Sequence, residues 1–185
     1  MILLRHGQSA FNLAFTMTRR DPGIPDPHLT PLGQAQADAA AEALAGHGIT
    51  RIIASPYTRA LQTAAPVARR LGLPILVNPV VRERYAFSCD IGSHRPVLEQ
   101  AWPGIDFGGI GEDAWWPAIE EPEAQIIGRA RLFRAEMAAL PDWRDTLVVS
   151  HWGFILCVTG QSMANGQWIG CDPTGPAPAE IVWKP

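Results

Sequence analysis

Short apolar runs alternate along this chain with longer segments in which apolar residues recur at helical spacing. The runs are three to five residues long, and each contains Ile or Val. Continuous apolar character of this kind is typical of strands that are buried on both faces. The pattern predicts strands at residues 2–4, 51–54, 75–77, 146–149 and 179–183.

The intervening segments carry helix signals. Thr30 and Pro31 form a clear helix start, because threonine caps a helix and proline suits its first position. A second helix follows Ser55 and ends at Gly72, and Pro66 inside it predicts a kink or a restart. Helices are predicted over residues 9–15, 30–44, 55–71, 123–140 and 152–158.

Strands that alternate with helices indicate an α/β fold. We therefore expect a three-layer α/β/α sandwich with a mostly parallel central sheet, built as a single domain over residues 1–185. Residues 84–122 are rich in Gly, Pro and Trp and have weak periodicity, which predicts a loop-rich insertion. The sequence shows no heptad pattern that would predict an oligomeric state.

Polar residues follow three of the predicted strands. Arg5 and His6 follow the first, Ser55 and then Arg59 the second, and His151 the fourth. Since ligands bind at the carboxyl ends of strands in open α/β sheets, we expect these side chains to converge on one site.

Composition narrows the class of protein. Hydrophobic residues make up 47% and charged residues 18%, with a net charge of −3, which excludes a disordered chain and argues against a nucleic-acid partner. No run reaches the roughly 20 apolar residues of a membrane span, and the N-terminal run is too short for a signal peptide. Three cysteines without metal-site spacing indicate free thiols. A cytoplasmic protein is the expectation.

The residues around His6 fit phosphate chemistry. A neutral histidine has one ring nitrogen free to attack an electrophile. Arg5 beside it can hold a phosphate dianion, and Gly7 allows close approach of the backbone to a ligand. Arg59 opens a helix, whose N-terminus favours anions.

Four motifs in order give the chain a family resemblance. Residues 5–12 fit Arg-His-Gly-x-Thr-x-x-Asn with Ser9 in place of the threonine, and residues 29–37 fit Leu-Thr-x-x-Gly-x-x-Gln-Ala. Residues 55–63 fit Ser-Pro-x-x-Arg-Ala-x-Gln-Thr in full, and residues 149–153 fit Val-Ser-His-x-Gly. The chain resembles the histidine phosphatase superfamily, whose fold is called phosphoglycerate mutase-like.

The resemblance implies roles for individual residues. His6 would attack phosphorus and become phosphohistidine, and the phosphoryl oxygens would be bound by Arg5, Arg59 and His151 with support from Asn12. Gly7, Ser9 and Trp152 would complete the substrate pocket, where Trp152 stands in place of the glycine found in many members. The implied activity is hydrolysis of a small phosphorylated molecule without metal or cofactor.

The resemblance also implies a carboxylic acid that protonates the leaving oxygen. Glu83 follows the third strand in the matching context, and Asp90 is the alternative. If Asp90 is the donor, its mutation should cost more rate than mutation of Glu83. The nearby Arg82, Arg84 and Arg95 are candidates for binding a second anionic group. Trp115 and Trp116 fit packing better than substrate stacking.

Three other functions stay open. A phosphomutase shares the phosphohistidine, although this chain lacks the longer middle insertions of the glycolytic mutases. A non-catalytic phospho-ligand binding module would keep the fold but show no turnover. A metal hydrolase would lose activity to a chelator, but the five histidines show no ligand spacing.

Overall fold

Within residues 1–183, which the computed structural model describes, five strands form one sheet. The strands are β1 (Ile2–Arg5), β2 (Arg51–Ala54), β3 (Ile75–Val77), β4 (Thr146–Ser150) and β5 (Trp168–Gly170). Their order across the sheet is β3-β2-β4-β1-β5. The first four in this order run parallel to one another, and β5 pairs antiparallel with β1.

The helices begin and end at residues with clear local causes. The Ser9 and Thr30 hydroxyls accept backbone N–H groups at two helix starts, and Gly72 ends α3 in the left-handed conformation. The helices are α1 (Ala10–Thr18), α2 (Pro31–Leu44), α3 (Thr58–Leu71), α4 (Arg95–Ala101), α5 (Glu123–Ala138) and α6 (Trp152–Thr159).

Alternate strand residues bury on opposite faces of the sheet. Leu4 and Val149 join a cluster with α2 and α3, whereas Leu3 and Val148 join a second cluster with α5 and α6. The sheet therefore lies between two helical layers. The predicted α/β/α sandwich with a mostly parallel sheet is confirmed.

Two predicted elements were wrong in detail. Residues 179–183 form no strand, and the fifth strand is Trp168–Gly170 instead, directly after an Asn-Gly turn at Asn165 and Gly166. Helix α3 begins at Thr58 and continues through Pro66 without a restart. Proline is tolerated there because packing of the buried face of α3 outweighs one lost backbone hydrogen bond.

Residues 84–122 contain α4 and a 3-10 turn at Ser88–Asp90. Leu98 and Phe107 pack into the same core cluster as α2 and α3. Trp115 packs against the Tyr57 ring, with centroids 4.6 Å apart, and its indole N–H donates to the Ser93 carbonyl. The segment is thus anchored to the core by apolar contacts.

In the part of the chain from residue 1 to 183, no helix combines the length and the apolar character needed to span a bilayer.

Candidate active site

A cleft of about 650 Å³ opens where strand β1 ends. Its charged and polar lining brings together most of the residues that the sequence singled out. They come from the ends of strands, from the start of α3 and from the loop after β3. These lining residues are Arg5, His6, Ser9, Asn12, Arg59, Glu83 and Trp152.

His6 is 4% exposed, and its hydrogen bonds define its tautomer. Nδ1 lies 2.7 Å from the Gly7 carbonyl oxygen, which can only accept, so Nδ1 carries the proton. Burial, followed by the charges of Arg59 and Arg5, lowers the pKa of His6 well below its ordinary value. The ring is therefore neutral near pH 7, with the Nε2 lone pair free to attack.

Two guanidinium groups flank His6 in fixed orientations. Arg5 Nη1 donates to the Met163 carbonyl over 2.5 Å. Burial lowers the pKa of Arg5 to about 10, against the pull of Glu83, so Arg5 stays charged at neutral pH. Arg59 is 2% exposed and stacks 4.3 Å from the Tyr57 ring centroid. The cleft floor is consequently cationic, which suits a phosphoryl dianion.

His151 is fully buried beside His6, with ring centroids 5.0 Å apart. Its Nε2 bonds the Ser55 hydroxyl over 2.8 Å, while Nδ1 is buried without a hydrogen-bond partner. Burial, and then the charges of Arg59 and Arg5, lower the pKa of His151 well below its ordinary value. His151 is not among the residues that line the cleft, and its ring lies behind that of His6.

The Glu83 carboxylate lies at the N-terminus of α6. One oxygen accepts the Gly153 N–H over 3.0 Å, and the other accepts the Arg84 N–H over 2.9 Å. A Cβ on Gly153 would lie 2.5 Å from Glu83 Oε1, so only glycine permits this approach. Each carboxyl oxygen keeps a second position for a proton or a substrate hydrogen bond.

Asp90, the alternative proton donor, has its oxygens occupied. Oδ1 pairs with Arg59 over 3.2 Å, and Oδ2 accepts the backbone N–H groups of Ala86 and Phe87. Burial raises the pKa of Asp90 to about 6, although Arg59 opposes this. This geometry fits a role in holding Arg59 better than a role in donating a proton.

Asn12 and Ser9 are tied together in a capping box at the start of α1. Asn12 Oδ1 accepts the Ser9 N–H over 3.0 Å and the Asn165 amide over 3.2 Å. Since the oxygen is committed to these donors, the Asn12 amide N–H groups are turned toward other acceptors.

Gly7 serves packing rather than ligand approach. A Cβ there would clash with the backbone carbonyl of Gly33, and the Gly7 N–H donates to Thr63 Oγ1 over 3.0 Å. The explanation given from the sequence was therefore wrong: the close neighbour of Gly7 is the start of α2, and Gly7 does not line the cleft.

Aromatic side chains form one wall of the cleft. Phe11, Phe15 and Phe87 contact one another with ring centroids 5.3–5.7 Å apart. On the opposite side, Trp152 lies 5.9 Å from Trp183, and its indole N–H donates to Ser162. These rings offer an apolar surface beside the cationic floor.

The three arginines considered for a second anion each have a carboxylate partner. Arg84 lines the cleft and pairs with Glu120. Arg82 pairs with Glu121 and Arg95 with Glu99, and neither lines the cleft. Arg19 lines the cleft mouth instead, exposed at the end of α1.

Sequence reasoning missed the loop after α6. Met163 and Asn165 line the cleft, and Asn165 donates to the His6 carbonyl over 3.1 Å. The Asn165-Gly166 pair is a turn signal that could have located this loop and the strand after it. Across the described residues 1–183, no cluster of His, Cys, Asp and Glu could hold a metal ion.

Comparisons with known proteins agree with this geometry. The model of the histidine phosphatase superfamily (branch 1) matches residues 1–174. A glucosyl-3-phosphoglycerate phosphatase from Mycobacterium tuberculosis is 30% identical over 167 residues, 86% of this chain and 73% of that protein. A probable phosphoglycerate mutase from Proteus mirabilis is 31% identical, covering 80% and 67%.

A solved mycobacterial glucosyl-3-phosphoglycerate phosphatase superimposes with a TM-score of 0.64 at 27% identity, covering 91% of this chain and 87% of that one. With the family model spanning nearly the whole sequence and the histidines and arginines gathered at one sheet edge, this chain belongs to the histidine phosphatase superfamily.

Proposed function

We propose that this chain, a phosphoric monoester hydrolase of the histidine phosphatase superfamily, hydrolyses small phosphomonoesters through a phosphohistidine on His6 Nε2. One observation carries the proposal: His6 is neutral, and its Nδ1–H bond to Gly7 leaves Nε2 as the free ring nitrogen at the cleft floor. Two guanidinium groups lie beside it.

Unpartnered donors support the same assignment. Within residues 1–183, three buried side-chain nitrogens lack a hydrogen-bond partner, and two of them are Arg5 Nε and His151 Nδ1. Buried polar groups are nearly always paired, so such atoms call for a ligand. We assign Arg5 Nε to a phosphoryl oxygen. His151 lies behind the cleft lining, and we assign its Nδ1 to the same phosphoryl group after substrate binding draws the ring toward the cleft, with Ser55 donating to Nε2 so that Nδ1 carries the proton.

In the first step His6 Nε2 attacks phosphorus while the bond to the leaving oxygen breaks. Glu83 donates its proton to that oxygen, so the alcohol departs neutral. Arg5, Arg59 and His151 stabilise the charge on the transferring phosphoryl oxygens. Removing one such donor typically costs about 100- to 1000-fold in rate.

In the second step water replaces the alcohol. The Glu83 carboxylate takes a proton from this water as its oxygen attacks phosphorus. The Nε2–phosphorus bond breaks, inorganic phosphate leaves, and His6 and protonated Glu83 are regenerated. The phosphatase names among the relatives favour water over a second sugar-acid hydroxyl as the acceptor, so a mutase is less supported.

The cleft supports a leaving group with an apolar or ring-shaped face. The Phe11, Phe15 and Phe87 wall is suited to such a face, and Arg19 at the mouth is suited to a second anionic group. Two of the relatives compared above are glucosyl-3-phosphoglycerate phosphatases, and a glucosyl group would present such a ring to the wall. We also propose a cytoplasmic setting, since Cys89, Cys157 and Cys171 are free thiols.

The test is phosphate release from a radiolabelled aryl phosphate in a buffer that contains a chelator. An alkaline quench retains the phosphoenzyme, and loss of its label in acid identifies a phosphohistidine. The parent should turn over and carry label, His6→Ala should do neither, and His47→Ala, which removes an exposed histidine, should match the parent. Turnover by His6→Ala would contradict the assignment of His6 as the nucleophile. Loss of activity with the chelator would favour a metal hydrolase.

A further inference from the structure

The loop that carries Glu83 has little regular structure of its own. Between β3 and α4 the chain forms two short 3-10 turns, Pro79–Val81 and Ser88–Asp90, so most backbone carbonyls there lack a sheet or helix partner. Backbone groups buried in a protein must still be paired. Something outside the loop must hold these carbonyls, and with them the direction of the Glu83 side chain.

Arg129 on α5 supplies those bonds. Its Nη1 donates to the Val80 carbonyl over 2.5 Å and to the Arg82 carbonyl over 2.8 Å, and its Nη2 reaches the Glu83 carbonyl over 3.4 Å. The remaining carbonyl of this stretch, that of Val81, accepts the Ser150 hydroxyl over 2.7 Å. One guanidinium therefore fixes the backbone on both sides of Val81 and at Glu83 itself.

Glu121 fixes Arg129 in turn. The Glu121 side chain is fully buried and accepts both Nε and Nη2 of Arg129, over 3.2 and 2.7 Å. Its backbone N–H donates to the Tyr85 carbonyl, which ties it to the far side of the same loop. A paired fork of this kind fixes orientation, which a lysine ammonium would not do.

We propose that Arg129 is a positioning residue that sets the proton-donor geometry of Glu83, with Glu121 as its anchor. Arg129 does not line the cleft and so reaches Glu83 through the loop. This inference rests on the proposed role of Glu83 as the general acid. A general acid contributes most when the leaving alcohol is a poor one, typically about 100- to 10,000-fold.

The readout is the ratio of kcat/KM for para-nitrophenyl phosphate, a good leaving group, to that for phenyl phosphate, a poor one. Glu83→Gln should raise this ratio strongly, since the poor leaving group depends on the acid. Arg129→Gln should raise it in the same direction, by about tenfold or more. Glu121→Gln, which keeps the side-chain shape, should raise the ratio less than Arg129→Gln does. It replaces Arg129→Gln as the test if that variant does not fold.

Arg134→Gln is the matched control. Arg134 is a buried arginine on the same helix that donates to backbone carbonyls, but to those of Val158, Asp172 and Gly175. Its variant should lose stability and keep the parent ratio within twofold. If Glu83→Gln raises the ratio but Arg129→Gln and Glu121→Gln both keep the parent value, the inference about Arg129 is overturned and the proposed role of Glu83 stands. An unchanged ratio in Glu83→Gln removes the proposed acid and the inference together.

Discussion

At the scale of single residues, the site depends on two neutral histidines in a cationic environment. His6 and His151 are both buried, and Arg5 and Arg59 add charge that disfavours a second proton on either ring. Protonation of His6 would occupy the lone pair that we propose as the nucleophile. The same burial that makes the site reactive therefore has a cost in stability at acid pH.

The lowered pKa values of His6 and His151 predict that the free energy of unfolding decreases as the pH falls. As the pH falls below 6.5, the ordinary histidine value, the unfolded chain takes up protons that the native state refuses. Each histidine should then remove about 1.4 kcal/mol of unfolding free energy per pH unit. Denaturant titrations at several pH values measure this slope, and His6→Gln should make it shallower. An unchanged slope in His6→Gln would contradict the lowered pKa.

At the scale of elements, the site depends on close approach between a loop and a helix start. Gly153 is the second residue of α6, and its N–H holds Glu83 while its missing Cβ leaves room for the carboxylate. Gly7 and Gly33 play the corresponding part between the end of β1 and the start of α2, backbone against backbone.

Gly153→Ala should separate activity from stability. The new methyl group would clash only with the end of the Glu83 side chain, which can swing away at little cost to folding, and it would touch the Trp183 ring at an ordinary contact distance of 3.4 Å. A displacement of about 1 Å at a reacting group can cost about 100-fold in rate. We expect kcat to fall by about that factor with little change in Tm. Gly128→Ala on α5, where a Cβ meets nothing within 4 Å, is the control and should keep full activity. A fully active Gly153→Ala variant would contradict the placement of Glu83.

At the scale of the whole molecule, one buried side chain binds several backbone carbonyls of the C-terminal segment. Arg134 donates to Val158 at the end of α6 and to the carbonyls of Asp172, Gly175 and Pro176. Trp183, farther along this segment, contacts Trp152 at the cleft. The segment that Arg134 holds therefore connects helices α5 and α6 to the Trp152 side of the cleft, although Arg134 itself does not line the cleft.

Arg134→Gln should lower the Tm of the protein. Several buried carbonyls would lose their donor, and each unsatisfied group costs about 1–3 kcal/mol. A total near 3 kcal/mol would lower Tm by about 6–12 °C in a chain of this size. Thermal unfolding measures it, with Arg131→Met, an exposed arginine on the same helix, as the control. A Tm equal to that of the control would show that the segment is held by other contacts.

The sequence by itself determined the layered fold and the meeting of several polar residues at one sheet edge. Continuous apolar runs and capped helices are local patterns, and parallel strands bring Arg5, His6 and Ser55 to one edge wherever they lie in the chain. It could not assign β5, since Trp168–Gly170 is a short edge strand whose pairing is set by its neighbour β1.

Only the tertiary structure decided which polar groups are committed and which are free. The sequence favoured Glu83 as the proton donor and left Asp90 as the alternative, and contacts from Arg59 and two backbone N–H groups occupy Asp90. The sequence also suggested Arg82 and Arg84 for binding an anion. In the structure the buried Glu121 pairs with Arg82, and Glu120 pairs with Arg84. Such pairings join residues about 30 or more positions apart, and no local pattern records them because they arise from packing alone.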